Sequence, residues 1–163
     1  MKVLIAGAGI GGLTTALMLH ARGIPVQIYE TAAEVREAGV GINILPHAIR
    51  ELETLGLLPA LDVVGLRTRR LTYYTRSGQE VWSELRGTYA GHEVPQFSIH
   101  RGRLQHLLYK AVLDRLGPKA VQTGRRLGGF VQDDKGITAH FANSIDGSKG
   151  ITVRGDVLIC CDG

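Results

Sequence analysis

Val3-Leu4-Ile5-Ala6-Gly7-Ala8-Gly9-Ile10-Gly11-Gly12-Leu13 is the stretch on which the fold turns. Val3 to Ala6 is a continuous apolar run closed by Gly7, the pattern of a parallel strand buried on both faces. From Ile10 to Arg22 the period becomes helical, with Leu13, Leu17 and His20 or Ala21 on one side. Arg22 falls in the last turn, where a cation complements the helix dipole, and Gly23 stands where a left-handed C′ residue is needed. Pro25 opens a second strand, Val26-Gln27-Ile28-Tyr29, which ends at Glu30. Strand, helix and strand within about 30 residues form a βαβ unit, whose crossover is right-handed.

The turn inside this unit is G-x-G-x-x-G. Gly7 allows the tight turn, Gly9 lets a pyrophosphate approach the backbone, and Gly12 lets the helix lie close on the strand. The N–H groups around Ile10, Gly11 and Gly12 then face the phosphates with the positive end of the helix dipole. Glu30, followed by Thr31, ends the second strand, where a carboxylate can accept hydrogen bonds from both ribose hydroxyls. The same carboxylate would repel a 2′-phosphate, which argues against NADP. Ala16 keeps the helix face small against the sheet. The cradle by itself leaves FAD and NAD both open.

The chain has 163 residues, enough for one domain with a core and hardly enough for two. A formal charge of +4 is scattered over the chain, without the basic stripe and interleaved aromatics of a nucleic-acid surface. The apolar runs are all shorter than the roughly 18 residues of a membrane-spanning helix, so no membrane partner is expected. The two cysteines, Cys160 and Cys161, are adjacent; neighbours in a strand point to opposite faces, so they read as reduced packing thiols of a cytoplasmic protein. The six histidines show no metal spacing and no paired nucleophile.

Beyond the βαβ unit, Thr31 to Gly41 reads as a loop, and Pro46 to Leu55 as a helix closed by Gly56, with a short helix from Pro59 to Val63. From Leu66 to Ile99 the period is two. A hairpin about Ser77-Gly78 is expected, then a strand at Gln96 to Ile99, an antiparallel excursion that breaks the βαβ rhythm. Trp82 and Tyr73 either line a substrate-facing sheet there or only pack. Arg101 to Leu116 is again helical. Val121 to Thr123 is a short strand, and Leu127 to Gln132 pairs with Ile137 to Ala142 across a turn at Asp133-Asp134. Val153 to Cys161 reads as a return to a buried strand.

Several segments resemble the group A flavoprotein monooxygenases, the para-hydroxybenzoate hydroxylase type. Arg36-Glu37-Ala38-Gly39-Val40-Gly41-Ile42-Asn43-Ile44-Leu45-Pro46 is similar to the family's R-x-x-G-x-G-I-x-L-x-P-N-A. His100-Arg101-Gly102-Arg103-Leu104 is similar to H-R-x-x-L, and Asp156 to Gly163 to G-D-x-L-I-G-A-D-G. Within the family, Gly39 to Ile44, Val81 to Glu84 and Pro95 to Gly102 resemble the branch that hydroxylates phenazine carboxylates. The departures are Cys160-Cys161 in place of Gly-Ala and His47 in place of Asn.

The resemblance implies an α/β fold: a Rossmann-like FAD-binding βαβ with a parallel sheet and an antiparallel excursion, the N-terminal fragment of that fold. Residues 1–163 would be a partial FAD-binding domain, and 66–100 an insertion belonging to the sheet of the substrate domain. The implied activity is hydroxylation of a small aromatic, phenazine-like substrate, with FAD as cofactor and NAD(P)H and O2 as co-substrates. The missing C-terminal part of the polypeptide would complete the site, so the fragment alone is expected to be inactive. The alternatives are an NAD-dependent oxidoreductase and a non-enzymatic nucleotide-binding module. The family pattern adds Arg36 at the ADP moiety, Val40 and Gly41 along the flavin, Arg101 at the pyrophosphate or ribityl chain, Leu127 beside the adenine, and Asp162 in the Asp-Gly motif. The flavin carries the chemistry in that family, so no side chain is singled out as catalytic.

Overall fold

The computed structural model describes residues 1–35, 39–146, 148 and 150–162. In chain order the elements are β1 (Val3–Ala6), α1 (Ile10–His20), β2 (Val26–Tyr29), β3 (Gly41–Ile44), α2 (Pro46–Thr54), α3 (Leu58–Val64), β4 (Gly65–Arg67), β5 (Arg70–Tyr74) and β6 (Glu80–Leu85). A 3-10 turn (Gly87–Ala90), β7 (Phe97–His100), α4 (Arg101–Leu116), β8 (Val121–Gln122), β9 (Arg125–Asp133), β10 (Gly136–Asn143), β11 (Ile151–Gly155) and β12 (Val157–Cys160) follow. They form two compact units, Met1–Glu37 with Gln105–Gly163, and Ala38–Leu104.

In the first unit a parallel sheet runs in the order β12-β1-β2-β8. Val3 lies opposite both Val26 and Val157, so β1 is flanked on each side and all four of its residues are buried. That explains its unbroken apolar composition. Leu13, Ala16 and Leu17 of α1 are buried as well. The helix ends in a Schellman motif: Gly23, at φ +69°, donates to the His20 carbonyl, and the Ile24 N–H to that of Leu19. Arg22 Nη1 donates to the Met18 carbonyl at 3.0 Å, adding a cation where the dipole is negative.

A second sheet of this unit, β11-β10-β9, is antiparallel. Ile137, Ala139 and Phe141 on β10 form one buried cluster with Leu4, Ala6 and Tyr29 of the parallel sheet. The rings of Tyr29 and Phe141 stack with centroids 4.1 Å apart. Burying a side chain such as Phe141 contributes about 1.5–3 kcal/mol.

In the second unit β3, β7 and β4 form an antiparallel sheet, with Ile42 opposite Ile99 and Ile44 opposite Phe97. Phe97, Ile99, Ile49 of α2 and Leu61 of α3 are buried. The hairpin β5–β6 sets Tyr73 opposite Trp82, with their rings 5.8 Å apart; both side chains are largely exposed.

Three sequence expectations change. Gly41, expected as the last residue of a loop, instead opens a strand over residues 41–44, whose partner β7 lies far along the chain. The excursion read over residues 66–100 is tied to strands that begin before it, since β7 pairs with β3 and β4 starts at Gly65. The segment from Val153 to Cys161 is not one buried strand. β11 pairs with β10, whereas β12 pairs with β1, and the chain changes sheets at Gly155. A Cβ there would lie 2.6 Å from Leu4 Cγ. As an edge strand, β12 leaves Val157 and Cys160 exposed, so Cys160 is not a packing thiol.

Candidate functional site

Gly7 follows β1 with φ +104°, a conformation that costs an L side chain strain, and a Cβ there would lie 2.3 Å from the Cys161 carbonyl oxygen. At Gly12 a Cβ would meet the Gly7 carbonyl oxygen at 2.0 Å. Both glycines are therefore demanded by the protein's own packing. Gly9 and Gly11 are different. The nearest atom to a Cβ on Gly9 is the Cys161 oxygen at 4.0 Å, and nothing lies within 4 Å of one on Gly11. Their missing side chains leave open space at the helix entrance.

The helix N-terminus also carries no internal partner for an anion. Gly9 is the N-cap without a side-chain cap, and the first turn of α1 holds no acid. The first backbone bond runs from the Leu13 N–H to the Gly9 carbonyl at 3.0 Å, so the N–H groups of Ile10, Gly11 and Gly12 precede it. Such uncapped donors together with the dipole suit a phosphate.

Glu30 closes this cradle. Its Oε2 accepts from the Ala8 N–H at 2.6 Å and its Oε1 from the Ala32 N–H at 2.8 Å. A carboxylate offers about four lone-pair sites, so both oxygens retain capacity for a ribose hydroxyl. Gln105, near the start of α4, donates from Nε2 to the Ala8 carbonyl at 2.9 Å. It holds the turn through its carbonyl, where Glu30 holds it through its N–H, and was not singled out in the sequence. The only available signal was its position one helical turn after Arg101. Thr31 follows Glu30 and accepts a hydrogen bond from Ser144 at its carbonyl.

Asp162 is exposed just past β12, with its backbone nitrogen 3.1 Å from where a Cβ on Gly7 would lie. The neighbouring Cys161 thiol is pushed up from its ordinary pKa, chiefly by burial and then by Cys160 and Asp162. It stays protonated near neutrality and is a poor nucleophile. Leu127 lies on β9 opposite Phe141 and packs against the Tyr29 cluster. β9 is an edge strand, so half of its backbone groups point away from β10.

The second unit gathers another part of the expected set. Arg101 opens α4 and donates its backbone N–H to the Val40 carbonyl at 3.0 Å. Its side chain covers Gly39, where a Cβ would fall 3.1 Å from Arg101 Cβ. Val40, Gly41 and the Arg101 side chain are exposed. Gly7, Gly9, Ile10, Gly11, Gly12, Glu30 and Asp162 thus cluster in the first unit, and Val40, Gly41 and Arg101 in the second. Arg36 and Gly163 lie outside the described residues. Among the described residues no three His, Cys, Asp or Glu side chains form a metal-holding group, and no helix is long and apolar enough to cross a membrane.

The family described as FAD binding domain matches residues 1–163. The chain is 46% identical over 162 residues to the phenazine 1,6-dicarboxylic acid hydroxylase PhzS of Lysobacter antibioticus, covering 99% of this chain and 40% of that protein. It is 30% identical over 177 residues to the FAD-dependent urate hydroxylase of Klebsiella pneumoniae, covering 100% of this chain and 40% of the relative. The crystal structure of Klebsiella pneumoniae HpxO with FAD and uric acid superposes with a TM-score of 0.79 at 29% identity, over 100% of this chain and 39% of the other. The chain therefore spans about 40% of the length of the curated relatives it matches.

Proposed function

The chain belongs to the FAD binding domain family over its whole length, and from that membership we propose that it is the flavin-binding portion of a monooxygenase that hydroxylates an aromatic substrate with NAD(P)H and O2. The observation that carries the reading is the open space at Gly9 and Gly11 beside uncapped helix N–H groups. Protein packing accounts for Gly7 and Gly12 but leaves the other two glycines without an internal reason, and a pyrophosphate against the backbone supplies one.

In this proposal the amides of Ile10, Gly11 and Gly12 hold the pyrophosphate and Glu30 accepts the ribose hydroxyls, with Thr31 and the outward backbone of Leu127 on the adenosine side. Gln105 keeps the turn in place through the Ala8 carbonyl. Arg101 brings a permanent charge with several donors, suited to a phosphate oxygen. Val40, Gly41 and Asp162 complete the set, and Arg36 is assigned to the ADP moiety on sequence alone. When bound, the flavin supplies the redox chemistry with O2; the chain's own groups bind, orient and shield.

A phenazine-like substrate is supported by the 46% identity to the Lysobacter hydroxylase. A role for residues 66–100 in the substrate-domain sheet is supported by the exposed Tyr73, Val81 and Trp82 on a two-stranded hairpin, since such a hairpin needs a further layer to be stable. A cytoplasmic location fits the free thiols of Cys160 and Cys161.

The test is an absorption spectrum of the purified full-length protein, followed by NAD(P)H oxidation with and without a phenazine carboxylate. A yellow protein whose NAD(P)H oxidation quickens with the aromatic is expected. A colourless protein that binds NAD tightly would falsify the reading.

A further inference from the structure

The three carbonyls that follow β2 are all taken, by donors from far along the chain. That of Glu30 accepts from the Arg125 N–H at 2.7 Å, and that of Ala32 from the Gly124 N–H at 2.9 Å. Between them, the Thr31 carbonyl accepts from the Ser144 hydroxyl, 113 residues later. The first two donors are backbone groups, which any residue but proline supplies. The third is a side chain, so this bond depends on which residue stands at position 144.

Ser144 is itself held in place. Its backbone N–H donates to the Gly124 carbonyl at 3.0 Å. Asn143 Oδ1 accepts from the Ile145 N–H at 3.0 Å, an Asx turn that fixes the chain around Ser144. Gly124 has φ +68°, and a Cβ there would fall 2.4 Å from Ile145 Cδ1, so Ile145 lies directly on it. The connection leaving β10 thus rests on the turn between β8 and β9, with the Ser144 hydroxyl on the chain that leaves Glu30.

That chain orients a carboxylate. Glu30 Oε1 accepts from the Ala32 N–H at 2.8 Å and Oε2 from the Ala8 N–H at 2.6 Å, so the carboxylate is held between the glycine turn and Ala32. One of its two anchors therefore depends on where Thr31 and Ala32 lie. Building on the proposed function, in which Glu30 takes the adenosine ribose, we propose that Ser144 is a positioning residue for the adenosine end of the cofactor. Its hydroxyl holds Thr31 and Ala32, and through the Ala32 N–H it sets the angle of Glu30. Ser144 and Thr31 are both exposed, so water replaces the bond in the unfolded chain and little folding stability rests on it. Its effect falls on binding instead, because a carboxylate already aimed at the ribose loses less freedom when the ligand arrives.

The test uses the full-length protein stripped of flavin. FAD and ADP, which carries the adenosine ribose without the flavin, are titrated calorimetrically into the parent, Ser144→Thr and Ser144→Val. Threonine keeps the hydroxyl, and valine has the shape of threonine without it. Ser144→Val weakens FAD and ADP by the same factor, about fivefold, whereas Ser144→Thr stays within about twofold of the parent. Ser144→Ala, which adds no bulk, reproduces the loss and keeps the test open should valine disturb the fold. Urea midpoints of the flavin-free variants stay at the parent value. Parental affinity for both ligands in Ser144→Ala, or an equal loss in Ser144→Thr, overturns the role of Ser144 alone. A loss confined to FAD, with ADP unchanged, places the effect away from the adenosine end and overturns it as well. A parent that binds neither ligand overturns the proposed function, and this role with it.

Discussion

Gly7 and Gly11 stand four positions apart in one loop and answer to different constraints. At Gly7 both the +104° φ and the Cys161 carbonyl oxygen, 2.3 Å from a built Cβ, forbid a side chain. Gly7→Ala is therefore expected to cost about 2–4 kcal/mol or to abolish folding, read from urea denaturation. At Gly11 the space is open and the backbone helical. Gly11→Ala should leave stability unchanged or raise it by about 0.5–1 kcal/mol, while weakening FAD at least about tenfold in a fluorescence titration. A stable Gly11→Ala protein with parental FAD affinity would remove the argument from open space. Glu30→Gln keeps the size but loses the charge, so one of the two bonds to Ala8 and Ala32 weakens. The expected result is a roughly tenfold rise in the FAD dissociation constant, or about 1.4 kcal/mol. All these residues were legible in the sequence, because a turn that must bring phosphate to backbone leaves glycines at fixed offsets. Gln105 was not: a glutamine on a helix carries no local mark of the carbonyl it will meet.

The helices and most strands were legible for similar local reasons. Gly23 and Gly56, at φ +69° and +68°, close α1 and α2 where the apolar period stops. The strands that escaped were β3 and β4, whose pairing with β7 no short-range pattern can announce. The turn from α3 into β4 is clamped by Arg67, which donates from Nε to Asp62 Oδ1 at 2.6 Å and from Nη2 to Oδ2 at 2.7 Å. The guanidinium holds the Asp62 carboxyl below its ordinary pKa. A carboxyl lowered by folding contributes stability above its unfolded pKa, and loses it as the pH falls through the lower folded value. Both partners are well exposed, so the contribution is only about 0.5 kcal/mol. Asp62→Asn should therefore cost about 0.5 kcal/mol at pH 7, read from the unfolding midpoint, and the difference from the parent should close as the pH falls below about 4. An unchanged acid limb would show that the pair is energetically silent.

At the scale of the whole molecule, a buried cluster joins the two sheets of the first unit through Leu4, Tyr29, Ala139 and Phe141. Phe141 is 1% exposed and stacks on Tyr29. Phe141→Ala should cost about 3–5 kcal/mol in chemical denaturation. Because Tyr29 precedes Glu30, FAD affinity should fall with it even though Phe141 is not proposed to touch the cofactor; parental affinity in a folded variant would show that the cradle does not depend on this packing. The sequence alone determined the βαβ unit, the glycine turn and the acid at its end, since these depend on backbone freedom and on periods of two and 3.6 residues that are local. Only the tertiary structure decided that the last apolar run divides at Gly155 between two sheets and that Cys160 faces outward. Those outcomes depend on pairing partners distant in sequence, and a residue's own neighbours do not encode which strand edge, buried wall or open space it will meet.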